Sequence, residues 1–567
     1  MNFLENYWYW RERACEDRAL ARELKSIEGN EEAIEDRFYR ELEFGTGGLR
    51  GVLGAGTNRM NVYTVAKATQ GLSSYLKNIE TLPSVAIAYD SRINSELFAQ
   101  VAAEVFAANG IRVYIYPRLM PTPALSFAVR DLECDAGIVI TASHNPAQYN
   151  GYKVYRSDGC QITTQTAQAI QTEMNQIDPF QDVKRSDFVQ QLRERNIAYI
   201  GEDTVDRYFQ AVGTASILPQ SISRDVAIVY TPLNGTGISC VPRCLQEHGF
   251  TNITIPKEQC EPDGNFPTCP YPNPEVRQAL EVGLAWAERT GSDLLLATDP
   301  DCDRVGAAVR TREGYVLING NEMGVLLLDF ICKMRRENRT MPAVPVAIKT
   351  IVTTPMASKI ADHYGVELID VLTGFKFIGE QIGLLEKRGE AERYIFGFEE
   401  SYGYLSGSFV RDKDAVNASL LICEMFAYYK SQGKTLKKIL DKLYEVYGYY
   451  ETSLLSFAFE GSDGFSKMQA LMEELRQHHP AEIAGISVVA IGDYQQSVLA
   501  RADGTRERID LPQSNVLRFL LDGGSEVVVR PSGTEPKLKV YLTAVESVRN
   551  GEILTRLSSY ITTWVEG

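Results

Sequence analysis

Three stretches of this sequence run through the same series of elements, and that repetition constrains the fold more than any other feature. "SVAIAYDSR" (84–92), "DVAIVYTPLNGTG" (225–237) and "PVAIKTIVTTP" (345–355) share a Val-Ala-Ile core of strand type. Each is followed by a helix-like stretch and then by a glycine opening a second strand, in "NGIRVYIYP", "HGFTNITIP" and "YGVELIDVL". A third apolar strand closes each unit: "DAGIVITASHNP", "DLLLATDPDCDR" and "YIFGFEESYG". Strand, helix and strand at this spacing describe βαβ units, which build mainly parallel sheets covered by helices. A lone Val-Ala-Ile run recurs easily by chance, whereas three matching orders of elements are far rarer.

The flanks differ. Residues 1–43 read as helical and charged, and the glycine-rich "EFGTGGLRGVLGAGTNRMN" then breaks the pattern. In the tail, "GFSKMQALMEELRQHH" is an amphipathic helix, and "VLRFLLDGGSEVVVRPSGTEPKLKVYLTAV" reads as antiparallel strands joined at the tight-turn signal Asp522-Gly523-Gly524. A chain of 567 residues exceeds one hydrophobic core. The expectation is α/β: three similar α/β domains with mixed, mainly parallel sheets, plus a C-terminal α+β domain. The boundaries expected are 1–200 (the helical extension with the first unit), 201–320, 321–445 and 446–567.

Lys and Arg total 58 against 74 Asp and Glu, a net charge of −16, which disfavours nucleic acid and anionic membranes as partners. Apolar runs such as "GVLLLDFIC" fall well short of the ~20 residues of a membrane helix. The first residues lack signal-peptide design. Ten cysteines without CxxC pairs suit a reduced protein, so a cytoplasmic location is expected.

In open α/β sheets ligands gather at the carboxyl ends of strands, which directs attention to the loops after the three closing strands. "ATDPDCDRVG" sets Asp299, Asp301 and Asp303 at alternate positions, hard oxygen donors suited to Mg²⁺. An EF-hand fails here, because Arg304 stands at its glycine position and Arg310 at its final glutamate. Glu399 and Ser401 in "GFEESYG" could grip sugar hydroxyls, although an ordinary polar turn looks the same. Arg530, Ser532, Gly533 and Thr534 in "RPSGTEP" suit a phosphate monoester, with a plain hairpin turn as the alternative. Ser143 in "TASHNP" lacks the G-x-S-x-G turn of a hydrolase. His144 beside it is not expected to point at the serine, because neighbouring side chains diverge along an extended backbone. That favours Ser143 as a phosphate carrier and gives His144 a supporting role.

Together "TASHNPAQYNGYK", "DPDCDR", "GFEESYG" and "RPSGTEPKLKVY" resemble the α-D-phosphohexomutase superfamily, in the family's own order and over nearly the whole chain. "EFGTGGLRG" is similar to its entry segment, and "GTNRMN" and "LTGFKFIGE" resemble the long phosphoglucomutase/phosphopentomutase branch. The resemblance implies four domains around a central cleft, with one catalytic loop from each. Ser143 would carry a phosphoryl group, and Mg²⁺ would sit among Ser143, Asp299, Asp301 and Asp303. Glu399 and Ser401 would hold sugar hydroxyls; Arg530, Ser532, Gly533 and Thr534 would hold the non-reacting phosphate. Arg50, His144, Lys153, Arg304 and Lys376 match active-site positions. Cys302 stands where alanine or glycine is usual, which raises the question of an oxidisable thiol near the metal.

The implied reaction is interconversion of α-D-glucose 1-phosphate and glucose 6-phosphate, by an isomerase of carbohydrate metabolism. Phosphoserine gives its phosphoryl group to a sugar monophosphate, the bound glucose 1,6-bisphosphate turns end for end, and Ser143 takes the other phosphate back. The bisphosphate also serves as activator. Closure by movement of the terminal domain would exclude water. Phosphopentomutase, phosphomannomutase and glucose 1,6-bisphosphate synthase remain alternatives, as does a non-catalytic sugar-phosphate sensor. The partners expected are small sugar phosphates, with either a monomer or a dimer possible.

Overall fold

A computed structural model of the chain describes residues 2–45, 47–459, 461–532, 537–548 and 551–566. The threefold repetition is visible as three sheets with one shared plan. Strand Ser84–Tyr89 lies between the parallel strands Arg112–Ile115 and Ala136–Ile140. Ile228–Thr231 lies likewise between Ile253–Thr254 and Leu294–Thr298, and Val346–Thr350 between Glu367–Val371 and Tyr394–Glu399. Helices Ser95–Ala108, Val241–Glu247 and Met356–Tyr364 make the crossovers from the first strand of each unit to the second. The three closing strands are buried along their whole lengths, as strands covered on both faces by helices must be.

Each unit also has a fourth strand that the sequence reading does not anticipate. Tyr149–Arg156, Val305–Thr311 and Gly403–Leu405 return antiparallel beside the closing strands. The loops of interest are therefore reversals between a closing strand and its return. Each holds one non-glycine residue in the left-handed region: Ser143 (φ 51°), Cys302 (φ 53°) and Tyr402 (φ 62°).

The glycine-rich entry segment, which breaks the pattern in sequence, contains a strand. Gly48–Val52 pairs antiparallel with Tyr149–Arg156 and carries Arg50 to the sheet edge. Its glycines serve close approach: a Cβ on Gly48 (φ 137°) would lie 1.9 Å from the Tyr152 carbonyl oxygen. Helices Phe3–Arg13, Arg18–Ser26 and Glu31–Phe38 bury Tyr7, Trp10, Leu24 and Phe38 against this unit.

The C-terminal sheet is antiparallel, with the turn 522–524 joining Leu517–Leu521 to Glu526–Pro531. Helices Gly461–Gln477 and Glu552–Glu566 cover it around Met468, Met472, Phe519, Val527 and Ile561. One continuous core runs through all three βαβ units. The C-terminal domain has a core of its own and meets the third unit through a small apolar patch, Ile351, Val352 and Leu372 against Tyr494, Val528 and Tyr541.

Candidate active site

A cleft of about 830 Å³ collects residues from all four domains, within the size range of small-molecule sites. Of the residues singled out in the sequence, Arg50, Ser143, His144, Lys153, Asp303, Arg304, Lys376, Glu399, Ser401, Arg530 and Ser532 line it. Asp299 and Asp301 lie buried beside Asp303, behind Ser143. Gly533 and Thr534 lie outside the described residues.

At the centre, the Ser143 hydroxyl donates to Asp299 Oδ2 at 2.7 Å. Its Oγ is also 3.2 Å from His144 Nδ1, which corrects the expectation that the two side chains diverge. The divergence rule assumes an extended backbone. Ser143 is left-handed instead, stabilised by its N–H donating to Thr141 Oγ1 at 2.8 Å, and that twist turns the imidazole toward the hydroxyl. Burial first, and then the Arg304 and Arg50 guanidinium groups, push the His144 pKa well below its usual value, so the ring is neutral at neutral pH.

The three aspartates each place a carboxylate oxygen within 4.8 Å of the others, and all three are buried. Thr122 Oγ1 (2.8 Å) and Lys153 Nζ (2.7 Å) donate to Asp301 Oδ2. Lys153 (3.1 Å) and Lys413 (3.3 Å) both reach Asp303 Oδ2. The backbone N–H groups of residues 303 and 304 donate to Asp299 Oδ1. Asp301 Oδ1 and Asp303 Oδ1 are buried without a hydrogen-bond partner. Two orphaned carboxylate oxygens in a buried set of hard donors fit a small divalent cation. Burial, with the neighbouring carboxylates of Asp301 and Asp303, drives Asp299 well above the usual carboxylate range. Burial opposes ionisation of Asp303 too, but Lys153, Lys413 and Arg304 outweigh it and hold that pKa low.

Cys302 bears on the question of an oxidisable thiol. It is fully buried in the core shared by the βαβ units, and burial, followed by Cys240 and Asp299, pushes its pKa well above the usual value. A thiol that is neither exposed nor ionised is chemically quiet.

On the facing walls, Ser401 Oγ donates to Glu399 Oε1 at 3.1 Å. The Arg50 guanidinium donates to Asn145 Oδ1 at 3.0 Å, within the serine loop, and Arg304 donates to Glu275 Oε1 at 2.7 Å. Lys376 lies in the first turn of helix Phe375–Lys387, and burial lowers its pKa. Arg530 and Ser532 come from the C-terminal sheet, with Lys537 and Lys539 on the next strand also lining the cleft. Burial, then Arg530, lowers the Lys539 pKa.

Several residues of the site were not singled out in the sequence: Arg92, Thr122, Glu275, Glu400 and Lys413. Burial and the adjacent Glu399 raise Glu400 to about 7. The signals for Lys413 and Arg92 were present as "RDKDA" ahead of an apolar helix and as "DSR" at the end of a repeated strand. Charged residues against buried elements usually have a partner, but sequence does not reveal where the partner lies.

Four family models match the chain in order. They are phosphoglucomutase/phosphomannomutase alpha/beta/alpha domain I over residues 41–181, domain II over 206–314, domain III over 319–447 and the C-terminal domain over 468–558. A protein named phosphoglucomutase from Staphylococcus haemolyticus is 39% identical over 515 residues, covering 90% of this chain and 91% of its own. One of the same name from Staphylococcus aureus (strain MRSA252) is 40% identical over 520 residues, with the same coverage. Among solved structures, a phosphoglucomutase/phosphomannomutase family protein from Burkholderia thailandensis superposes with a TM-score of 0.67 at 18% identity, over 92% of this chain and 96% of its own. The open form of parafusin, a phosphoglucomutase from Paramecium, gives 0.65 at 19%, over 93% and 95%. These two support the shared four-domain fold.

Proposed function

This chain belongs to the phosphoglucomutase/phosphomannomutase family, and we propose that it interconverts α-D-glucose 1-phosphate and glucose 6-phosphate through a phosphoserine at Ser143. It is an enzyme of the isomerase class, an intramolecular phosphotransferase. The observation that carries the reading is the contact of the Ser143 hydroxyl with a buried cluster of three aspartates, inside a cleft fed by all four domains.

Ser143 Oγ carries the phosphoryl group. Asp299, Asp301 and Asp303, together with that oxygen, would hold Mg²⁺, which when bound adds charge stabilisation to the oxygens of the transferring group. Lys153, Lys413, Arg304 and Arg50 line the same end of the cleft and add positive charge where the phosphoryl group passes. When Ser143 takes a phosphoryl group back, its hydroxyl proton has a neutral imidazole acceptor in His144 Nδ1. Lys376, easier to deprotonate because it is buried, faces the cleft as a proton acceptor for a sugar hydroxyl. Glu399 and Ser401 hold sugar hydroxyls. Arg530, Ser532, Gly533 and Thr534 take the phosphate that is not reacting, and the bound glucose 1,6-bisphosphate exchanges its two ends between that subsite and Ser143. The small apolar patch joining the C-terminal domain to the third unit suits a closure that excludes water during transfer.

The test joins a mass and a rate. Peptide mass spectrometry of purified protein is expected to find one phosphate, on the peptide holding Ser143, and kcat/KM is expected to favour glucose 1-phosphate over ribose 1-phosphate. A Ser143→Ala variant that retained most of the turnover would end the phosphoserine reading, and a clear pentose preference would end the choice of sugar.

A further inference from the structure

The Arg92 side chain is completely shielded from solvent and spends all its described hydrogen bonds on one loop. Its Nη1 donates to the carbonyl oxygens of Pro146 (2.9 Å) and Tyr149 (3.0 Å). Its Nη2 donates to the carbonyl oxygens of Ser143 (2.5 Å) and Asn145. Four carbonyl dipoles from a seven-residue stretch thus converge on a single guanidinium. Oxygens so arranged repel one another unless a cation with several in-plane donors sits between them, and guanidinium fits that need better than an ammonium.

The guanidinium also has a buried counter-charge beside it and an aromatic ring over it. Asp90 Oδ2 lies 3.4 Å from Arg92 Nε, while Asp90 Oδ1 accepts from Arg92 N (2.9 Å) and Ser95 Oγ (2.7 Å). The Phe266 ring of the second unit covers the guanidinium with its centroid 5.0 Å away. Nearby, a Cβ on Gly264 would come within 2.4 Å of Ile93 N, so the second unit presses directly on this segment.

Ser143 sits in the left-handed region at φ 51°, a conformation that is strained for a non-glycine residue and persists only where the surroundings enforce it. That conformation brings Oγ both to Asp299 and to His144. We propose that Arg92, backed by Asp90, is a positioning residue for phosphoryl transfer: it enforces the left-handed serine loop and so aims Ser143 Oγ at the aspartate cluster. Arg92 is not among the residues lining the cleft, so its loss acts on the transfer step rather than on sugar binding. The inference rests on Ser143 being the phosphate carrier.

A cavity of about 360 Å³ is bordered by Asp90, Ser91, Arg92 and Pro262, and removing the Arg92 side chain beside it leaves a guanidinium-sized space, which permits a rescue experiment. The wild-type protein is first checked for phosphate on Ser143; its absence there would defeat the phosphoserine reading and leave nothing for Arg92 to position. With the phosphate found, Arg92→Ala is expected to lower kcat about 100-fold, the scale for a roughly 1 Å misplacement of a reacting group. KM for the sugar phosphate should stay within about 3-fold, since the groups proposed to bind sugar and distal phosphate are untouched. Guanidinium ion at millimolar levels, too dilute to denature, should recover at least about 10-fold of the lost kcat by refilling the vacated donors. Wild-type kcat, a loss confined to KM, or a folded variant that guanidinium leaves unrescued would each overturn the proposal. If Arg92→Ala does not fold, Arg92→Lys reads the same point: its ammonium cannot span four carbonyls, so kcat should fall with KM held, and full activity would refute the role.

Discussion

Lys153 offers the sharpest energetic test of the buried aspartate cluster. Its Nζ lies 2.7 Å from Asp301 Oδ2 and 3.1 Å from Asp303 Oδ2, and both carboxylates are essentially without exposure. Of these two aspartates Lys413 reaches Asp303 alone, its other contact being Asp412, so Lys153→Met leaves Asp301 with Thr122 as its remaining side-chain donor. Methionine preserves the length and apolar stem of the side chain, which confines the change to charge and hydrogen bonding. Removing one partner from a buried ion pair costs about 3–5 kcal/mol. At about 2–4 °C per kcal/mol for domains of this size, the apparent melting temperature in EDTA should fall by about 6–20 °C. A proton taken up by the cluster would hold the loss near the lower figure. That proton would raise a folded carboxyl pKa above its unfolded value, so the folded state would bind more protons and the variant would regain stability as pH falls. Saturating Mg²⁺ stabilises both proteins, each by about 2.7 kcal/mol at 100 times its own dissociation constant; the gap to wild type narrows by as much as the variant, without the competing Lys153 ammonium, binds the ion more tightly. The measurement is calorimetric or fluorescence melting of both proteins with EDTA and with Mg²⁺. A variant melting within about 2 °C of wild type in EDTA, less than the effect of 1 kcal/mol, would refute the reasoning.

Three further outcomes follow from particular contacts. Asp414 caps helix Ala415–Ser431 and accepts from the Tyr208 hydroxyl, while burial raises its pKa from 3.8 to about 6. Its folded pKa lies above its unfolded one, so wild type gains stability as pH falls from about 6 toward about 4; Asp414→Asn keeps the cap and should melt no lower than wild type at pH 8, with its relative advantage lost by pH 4 in parallel melts. Gly320→Ala would set a Cβ 2.0 Å from the Glu400 carbonyl oxygen and 2.9 Å from Tyr402 N, so the sugar-facing loop must move; kcat/KM should fall about 100-fold, and steady-state kinetics within about 3-fold of wild type would contradict that. Mass mapping after brief alkylation of native protein should find Cys15 labelled and Cys302 unlabelled, and early labelling of Cys302 would overturn the account of it as a quiet core thiol.

Much of the fold was legible because it rests on periodic patterns. Three Val-Ala-Ile strands with their crossovers and closing strands announce themselves through local hydrophobicity, and all three sheets take that order. The return strands were harder: "YNGYKVYR" and "GYL" carry polar or glycine positions and owe their pairing to the neighbouring strand. "GTGGLRGV" reads in sequence only as a break in the pattern because glycine carries two meanings, conformational freedom and close approach, and only the position of Tyr152 decides for the second.

The site divides along the same line. Ser143, the three aspartates, Glu399 with Ser401, and Arg530 with Ser532 were visible in sequence because each set is compact and chemically distinctive in a single loop. Composition and motif order were enough to choose phosphate and metal chemistry over hydrolysis. What only tertiary structure decided was how distant residues share charge and shape. Lys153 meets Asp301 across 148 positions, and Arg92 gathers the serine loop from more than 50 positions upstream. His144 touches its neighbour's hydroxyl because one backbone torsion is left-handed. Chemical identity is a property of the residue and can be read along the chain. Partnership in a low-dielectric interior depends on ångström distances that the chain acquires only when it packs.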